Sequence, residues 1–171
     1  MERTGVITSK GSPLTLVGEE VKAGDRATDF IALDKDLKET RLKDFAGKIK
    51  VLSVTPSLDT PVCSMQATRF NVEAGKLPED VVVINISMDL PFAIGRFCSA
   101  GGIYKIKTLS DHRSASFGIA YGVLIKELRL LARSIFVIDK NDTVRYVEIV
   151  PDITNHPDYD KALEAVKTLT K

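Results

Sequence analysis

Short apolar runs alternate along the chain with longer amphipathic stretches, and glycine, proline or polar residues bound most of them. Residues 50–54 and 81–87 have the composition of β-strands, and the second run is apolar enough to be central in a sheet. Residues 5–17 predict a β-hairpin around a Lys-Gly-Ser-Pro turn, and Pro13 favours an edge position for it. The remaining predicted strands are residues 30–33, 40–42, 106–109, 134–138 and 144–150.

Four stretches predict helices. The clearest begins at Thr60-Pro61, because threonine can cap a helix with its hydroxyl and proline is favoured at the first helical position. This helix is expected over residues 61–74, with Gly75 as its stop. The other predicted helices are 91–97, which ends before Gly101-Gly102, a weak one at 114–121, and an amphipathic one at 157–169.

The predicted order of elements places strands and helices in alternation, followed by a hairpin and a final helix. Such an order is typical of an α/β protein with parallel crossovers early and an antiparallel pair late. We therefore predict a thioredoxin-like fold, with a central mixed sheet flanked by helices and an N-terminal β-hairpin. The chain has no internal repeat or linker, so residues 1–171 are expected to form a single domain.

Composition indicates a soluble globular protein, with 44% hydrophobic and 27% charged residues. The formal net charge is +1 and the basic residues are scattered, which argues against nucleic acid or a membrane as a partner. No apolar run near the start resembles a signal peptide, so a cytoplasmic location is expected. Cytosolic thiols are normally reduced, so two cysteines suggest redox chemistry, a metal or inert burial rather than a permanent disulfide.

Cys63 has the most reactive setting of the two cysteines, because it follows a predicted strand and is the third residue of a predicted helix. Unpaired backbone N–H groups and the positive end of the helix dipole favour a thiolate at this position. Thr60 offers a hydroxyl in the same turn. Arg133, just before the predicted strand at 134–138, is the best candidate for a nearby cation.

The spacing of Pro56, Thr60 and Cys63 resembles the peroxidatic loop of peroxiredoxins. Further segments are similar to bacterial thiol peroxidases of that superfamily, and the likeness extends from about residue 5 to residue 169. These segments are Ser57-Leu58-Asp59-Thr60, Asp89-Leu90-Pro91-Phe92-Ala93, Arg96-Phe97-Cys98, Ala132-Arg133-Ser134 and Val137-Ile138-Asp139. The resemblance implies a thioredoxin-like peroxiredoxin domain of the atypical two-cysteine type over residues 1–171.

The resemblance also implies a role for each matching residue. Cys63 is expected to be the peroxidatic nucleophile, and Cys98 the resolving thiol that forms a disulfide with it inside one subunit. Thr60 and Arg133 are expected to bind the peroxide and activate the thiolate, and Pro56 to shield the sulfenic acid from water. The implied substrates are hydrogen peroxide and organic hydroperoxides, the implied reductant is thioredoxin, and the implied assembly is a homodimer without a cofactor.

Cys98 lies near the end of a different predicted helix from Cys63, just before Gly101-Gly102. The two sulfurs are therefore not expected to touch in the reduced protein. We expect disulfide formation to require local unfolding around one or both cysteines, which a marginal helix next to a glycine pair permits.

Other functions remain open from the residues alone. A peroxidase with one active cysteine, a peroxide sensor that oxidises a partner protein, and a thioredoxin-fold module with ordinary thiols would all fit the chain. A disulfide oxidoreductase fits poorly because no Cys-x-x-Cys is present. No metal site is expected, since His112 and His156 do not give zinc-ligand spacing with the cysteines, and residues 139–142 lack the glycine and glutamate of a calcium loop.

Overall fold

The structure, a computed structural model, describes residues 1–171 and contains eleven strands and four α-helices. The strands are β1 (Glu2–Ser9), β2 (Ser12–Val17), β3 (Ile31–Leu33), β4 (Glu39–Arg41), β5 (Ile49–Val54), β6 (Val81–Ser87), β7 (Lys107–Ser110), β8 (Leu124–Ile125), β9 (Leu130–Leu131), β10 (Ser134–Ile138) and β11 (Val144–Ile149). The helices are α1 (Pro61–Ala74), α2 (Pro91–Gly101), α3 (Ser116–Ala120) and α4 (Tyr159–Leu169), with a short 3-10 helix at Leu42–Phe45.

Seven strands form the main sheet in the order β11-β10-β5-β6-β7-β3-β4. The strands β5, β6 and β7 run parallel, and the other pairs are antiparallel, which confirms the predicted mixed sheet. Helices α1 and α2 are the crossovers between the parallel strands. Because parallel strands share one direction, the segments that follow β5 and β6 meet at the same edge of the sheet.

Residues that alternate along the strands build a separate core on each face of the main sheet. Helices α1, α2 and α4 pack on one face, with α1 against β5 and β6, α2 against β7 and α4 against β10, through residues such as Phe70, Ile94 and Val166. Helix α3 and the N-terminal strands pack on the other face, where Phe117 and Tyr121 stack with ring centroids 4.6 Å apart. Helix α1 is therefore held against the sheet by the buried face that carries Phe70.

The predicted N-terminal hairpin is confirmed as β1 and β2, but it belongs to a second sheet of order β1-β2-β8-β9. The hairpin lies at one end of that sheet, with β1 as its edge strand, and Pro13 belongs to β2, which pairs with both β1 and β8. Proline is tolerated there because β8 pairs only with Leu16 and Val17, at the far end of β2. Strands β8 and β9 were not predicted.

The predicted helices are confirmed, with shifts at their ends. Helix α1 has the predicted bounds, whereas α2 continues four residues beyond its predicted end, until Gly102 takes a left-handed φ of 65° and stops it. Helix α4 begins at Tyr159 because the Asp158 carboxylate caps it, accepting the backbone N–H of Lys161 at 3.0 Å. None of the helices combines the length and apolar character needed to cross a membrane.

The buried carboxylate of Asp111 makes part of the folding stability depend on pH. It accepts the backbone N–H groups of Phe117 and Gly118 at 3.0 and 2.8 Å, yet burial outweighs these bonds and raises the pKa of Asp111 to about 6 from 3.8. The folded state therefore binds the proton more tightly than the unfolded state. The stability that this proton confers is fully present below about pH 4 and is lost as the pH rises through about 6.

An Asp111→Asn variant is expected to lose this pH dependence. Its free energy of unfolding, relative to the parent chain, should rise by up to roughly 3 kcal/mol between about pH 4 and pH 7, since one pKa unit corresponds to about 1.4 kcal/mol. Asparagine offers one acceptor oxygen to two N–H donors, but the resulting loss of stability is the same at every pH. Urea unfolding of both proteins across this range checks the prediction, and a difference that stays constant with pH would contradict it.

Candidate active site

Cys63 lies in the first turn of α1 and has no exposed surface. Strand β5 ends at Val54, and the buried Pro56 begins the loop that leads into the helix. The backbone N–H of Ser57 in this loop points at the sulfur, with its nitrogen 3.5 Å from Sγ. The predicted position of Cys63, third in a helix that follows a strand, is confirmed.

Arg133, in the segment between β9 and β10, places a positive charge against Cys63. Its side chain is buried, and Nη2 is 3.3 Å from the Cys63 Sγ. Two guanidinium nitrogens, Nε and Nη2, donate to the carbonyl oxygen of Ile153 at 3.1 and 2.8 Å. Nη1 donates to Oε1 of Gln66 at 2.9 Å. The expectation that Arg133 supplies a cation beside Cys63 agrees with this geometry.

The acceptors around the Arg133 guanidinium are a carbonyl, an amide and a sulfur, and none of them is a carboxylate. A buried charge is costly without an opposite charge beside it. The Cys63 sulfur is the remaining partner of the guanidinium, at 3.3 Å from Nη2. Positive charge, a backbone N–H and the helix N-terminus all converge on this one sulfur.

Gln66, which the sequence analysis did not single out, orients Arg133 from inside α1. It lies three residues after Cys63 on the buried face of the helix, and its Nε2 donates to the hydroxyl of Ser53 at 2.9 Å. This bond leaves Oε1 free to accept from Arg133. A polar residue on the buried face of an amphipathic helix was the signal that could have identified it.

Thr60 occupies the N-cap position of α1, but the predicted cap through its hydroxyl is wrong. The hydroxyl donates instead to the carbonyl oxygen of Ser57 at 2.8 Å. Residues 57–60 form a tight turn in which the Thr60 backbone N–H also donates to that carbonyl, at 3.1 Å. The hydroxyl therefore points back to this turn and accepts no N–H from the helix. Thr60 is exposed and lies three residues before Cys63 in the chain.

The carboxylate of Asp89, which the sequence analysis quoted only as part of the resemblance, fixes the loop before Cys63. It accepts the Ser57 hydroxyl and the Leu58 backbone N–H, both at 2.8 Å, and the Ser87 hydroxyl at 2.7 Å. Asp89 follows β6 and precedes α2. One side chain therefore joins the two loops that meet at the carboxyl edge of the parallel strands.

Cys98 lies in the last turn of α2, apart from these groups. Both cysteines are free thiols, and the Cys98 sulfur is 3.7 Å from the hydroxyl oxygen of Thr108. Burial raises the pKa of the Cys98 thiol, although Thr108 and Lys35 act in the opposite direction. Cys98 lines a cavity of about 530 Å³ whose wall does not include Cys63.

Comparisons with known proteins identify relatives along nearly the whole chain. The family model described as Redoxin matches residues 22–163. The chain is 59% identical over 165 residues to a thiol peroxidase of Bacillus subtilis, which covers 96% of this chain and 98% of that protein. It is 51% identical over 161 residues to a thiol peroxidase of Listeria innocua, covering 94% and 97% of the two chains.

The chain belongs to the thiol peroxidases of the redoxin family. A solved peroxiredoxin-like protein from Aquifex aeolicus has a TM-score of 0.90 and 43% identity, and the match covers 98% of this chain and 97% of that one. A thiol peroxidase structure from Chromobacterium violaceum, at 22% identity and a TM-score of 0.84, shares the fold over 95% of each chain. The predicted peroxiredoxin-type enzyme and thioredoxin-like fold are confirmed.

The structure of this thiol peroxidase brings some of the predicted site residues together. Cys63 and Arg133 are in direct contact, while Pro56 and Thr60 lie in or next to the loop that precedes the cysteine. Cys98 shares neither a hydrogen bond nor a cavity with them. The reduced thiol peroxidase therefore keeps its two cysteines in separate environments, as expected from their positions on different helices.

Proposed function

We propose that this chain reduces hydroperoxides through a sulfenic acid on Cys63, which Cys98 resolves to an intrasubunit disulfide that thioredoxin reduces. Membership of the family implies a peroxide substrate and a thiol reductant. The observation that carries the proposal is the contact of 3.3 Å between the buried Cys63 sulfur and the Arg133 guanidinium. The thiolate is the form of cysteine that attacks peroxides, and this contact stabilises it.

In the first step the Cys63 thiolate attacks one oxygen of the hydroperoxide. An S–O bond forms and the O–O bond breaks, so the sulfur loses two electrons, and the departing oxygen takes up a proton and leaves as an alcohol or as water. The Arg133 guanidinium stabilises the charge that moves from sulfur to oxygen. Because the sulfur has no exposed surface, the loop that carries Ser57 must move aside to admit the peroxide.

Thr60 and Pro56 have supporting roles in this proposal. The Thr60 hydroxyl donates to the Ser57 carbonyl, which leaves its oxygen able to accept a hydrogen bond from the peroxide one turn from the sulfur. Pro56 is buried at the end of β5, next to the residue whose N–H faces the sulfur. A rigid apolar ring at this position would keep water away from the sulfenic acid.

In the second step the Cys98 thiolate attacks the Cys63 sulfenic acid. An S–S bond forms, the S–O bond breaks, and the oxygen leaves as water after taking up a proton. The carbonyl oxygen of Cys98 accepts the N–H groups of Gly102 and Ile103, so release of Cys98 from its cavity breaks the cap of α2 as well as the contact of its sulfur with the Thr108 hydroxyl. We expect that local unfolding to precede the disulfide, which a thioredoxin dithiol then reduces.

The remaining predictions concern the setting of the reaction. We propose one peroxiredoxin domain over residues 1–171, a homodimer, and a cytoplasmic location. All three proposals rest on the resemblance to the family. Hydrogen peroxide and organic hydroperoxides are both proposed as substrates, with no cofactor. Light scattering coupled to size-exclusion chromatography would show whether the chain is a dimer in solution.

Intact mass and thiol counting after one equivalent of cumene hydroperoxide test the two-cysteine cycle. The parent chain is expected to lose both thiols and the mass of two hydrogens, because the disulfide is the end product. The Cys98→Ser variant is expected to gain one oxygen, which a sulfenic-acid reagent traps on Cys63. That variant should complete one oxidation with thioredoxin present but should not be recycled by it.

The outcome separates this proposal from its alternatives. A Cys98→Ser variant that thioredoxin recycles as fast as the parent would show that one cysteine suffices for turnover. Thiols that stay reduced in the parent, or that react no faster than free cysteine, would show that the chain has lost the chemistry of its family. Slow recycling of the parent by thioredoxin, together with capture of another protein by Cys98→Ser, would indicate a peroxide sensor.

A further inference from the structure

The carbonyl of Ile153 is the group that holds the Arg133 side chain in place. It accepts two of the four hydrogen bonds that the guanidinium makes, from Nε and Nη2. Nη2 is also the nitrogen that contacts the Cys63 sulfur, so the direction of the Ile153 carbonyl sets the direction of that contact. Ile153 lies in the segment that follows β11, outside any helix or strand of the main sheet.

The N-terminal hairpin fastens this segment to the rest of the protein. The Thr8 backbone N–H donates to the carbonyl oxygen of Pro151 at 2.8 Å, and the Ile153 backbone N–H donates to the carbonyl oxygen of Thr8 at 3.0 Å. These two bonds pair one residue of β1 with the residues on either side of Asp152. The backbone of residues 151–153 therefore follows β1 as a short parallel bridge.

Asp152 joins the same segment to the turn of the hairpin. Oδ2 accepts the Thr8 hydroxyl at 2.7 Å and the Gly11 backbone N–H at 3.0 Å. Oδ1 accepts the backbone N–H and the hydroxyl of Thr154, at 3.0 and 2.5 Å. Lys10 and Gly11 have φ values of 49° and 81°, typical of a tight hairpin turn, and this turn presents the Gly11 N–H to the carboxylate.

Each oxygen of the Asp152 carboxylate accepts two hydrogen bonds. Hydrogen bonds from Thr154 and Thr8 hold the pKa of this carboxyl well below its usual range, so the group is an anion with only acceptor oxygens at working pH. It makes no hydrogen bond to Cys63 or Arg133, and its partners are Thr8, Gly11 and Thr154. The hydrogen bonds of Asp152 therefore reach the site through the backbone of residues 151–154.

We propose that Asp152 is a positioning residue for the peroxidase reaction, because it clamps the hairpin turn to residues 151–154 and so fixes the Ile153 carbonyl that aims Arg133 at Cys63. The inference rests on the role proposed above for Arg133. It gives the hairpin formed by β1 and β2 a part in the active site, although neither strand contributes a group that touches the reacting sulfur.

A double-mutant cycle with Asp152 and Arg133 tests this inference. Asp152→Asn keeps one acceptor oxygen but cannot hold Thr8 and Gly11 on one side and Thr154 on the other. We expect single-turnover oxidation of Cys63 by cumene hydroperoxide to slow about 10-fold, because small misplacements of a catalytic group have large effects on rate. In the Arg133→Met background the same change should slow the reaction no further.

Alkylation of Cys63 gives a second readout that a loss of stability alone would not change. The Arg133 guanidinium attracts the anionic reagent iodoacetate more than the neutral reagent iodoacetamide. Asp152→Asn should therefore lower the ratio of the two alkylation rates, again only where Arg133 is present. Thr8→Val removes one donor to Asp152 and keeps the backbone bridge, so it provides a milder variant if Asp152→Asn does not fold.

The matched control is Asp25→Asn, which changes an exposed aspartate whose side chain accepts the Lys22 backbone N–H at 2.8 Å. Asp25 lies near one end of β10, and Arg133 lies at the other end. This variant should react as fast as the parent. Equal slowing by Asp152→Asn with and without Arg133, or no slowing at all, would overturn the inference. An unchanged rate in Arg133→Met alone would instead overturn the role proposed for Arg133.

Discussion

Replacing Cys63 with serine is expected to reduce peroxidase turnover to the background rate of the reagents. The serine hydroxyl can still accept hydrogen bonds from Arg133 and from the Ser57 N–H, so the buried site should keep its geometry. A hydroxyl is not ionised near neutral pH and does not attack peroxides as a thiolate does. The measurement is hydroperoxide consumption coupled to thioredoxin and NADPH oxidation.

Two checks make this result specific to the sulfur. Circular dichroism and thermal unfolding should be close to those of the parent, since the substitution nearly conserves the volume of a side chain with no exposed surface. The Cys98→Ser variant should still consume one equivalent of hydroperoxide, which no Cys63→Ser protein should do. Turnover in Cys63→Ser comparable with the parent would mean that another group attacks the peroxide.

Replacing Arg133 with methionine is expected to lower the rate constant for Cys63 oxidation by about 10²–10³-fold, the usual effect of removing one preorganised donor from an active site. The substitution removes the only charged group within hydrogen-bond distance of the sulfur. It also leaves the Ile153 carbonyl without its two side-chain donors. Stopped-flow measurement of Cys63 oxidation by cumene hydroperoxide checks the expected loss of rate.

The Arg133→Lys variant separates the effect of the positive charge from the effect of the side-chain geometry. Arg133→Lys keeps a positive charge but loses the planar fork that binds Ile153 and Gln66 while contacting the sulfur, so it should recover only part of the rate. Arg113→Met is the control, because Arg113 forms an exposed ion pair with Glu39. A parent-like rate in Arg133→Met would mean that the thiolate needs only the helix and the Ser57 N–H.

Signals that lie within a few neighbouring residues were sufficient to predict most of the helices and strands. The bounds of α1 follow from Thr60-Pro61 at one end and Gly75 at the other, and those of β6 from a run of β-branched apolar residues that only Asn85 interrupts before Ser87. Strands β8 and β9 have two residues each, too few for any periodicity, and they exist because β2 pairs with β8 and β8 with β9. That pairing also explains why the inner position of β2 was not predicted.

The same distinction holds within the active site. Local sequence fixes where Cys63 lies, because a strand, a loop and a helix start are all encoded by adjacent residues, and it also gave Arg133 as the candidate cation. The hydroxyl of Thr60 shows the limit of such signals, since it donates to the Ser57 carbonyl and accepts no N–H from the first turn of the helix. The orientation of a hydroxyl depends on angles and distances that a sequence does not contain.

Sequence by itself thus determined the fold class and the enzyme family, and it singled out Cys63, for which we propose the reactive role. Only the tertiary structure decided how the sulfur is surrounded: Gln66 and the Ile153 carbonyl hold Arg133, Asp89 fixes the loop, and Asp152 ties the hairpin to residue 153. These contacts join residues separated by up to 144 positions along the chain. Each depends on hydrogen-bond distances and directions, which exist only after the sheet has brought distant segments together.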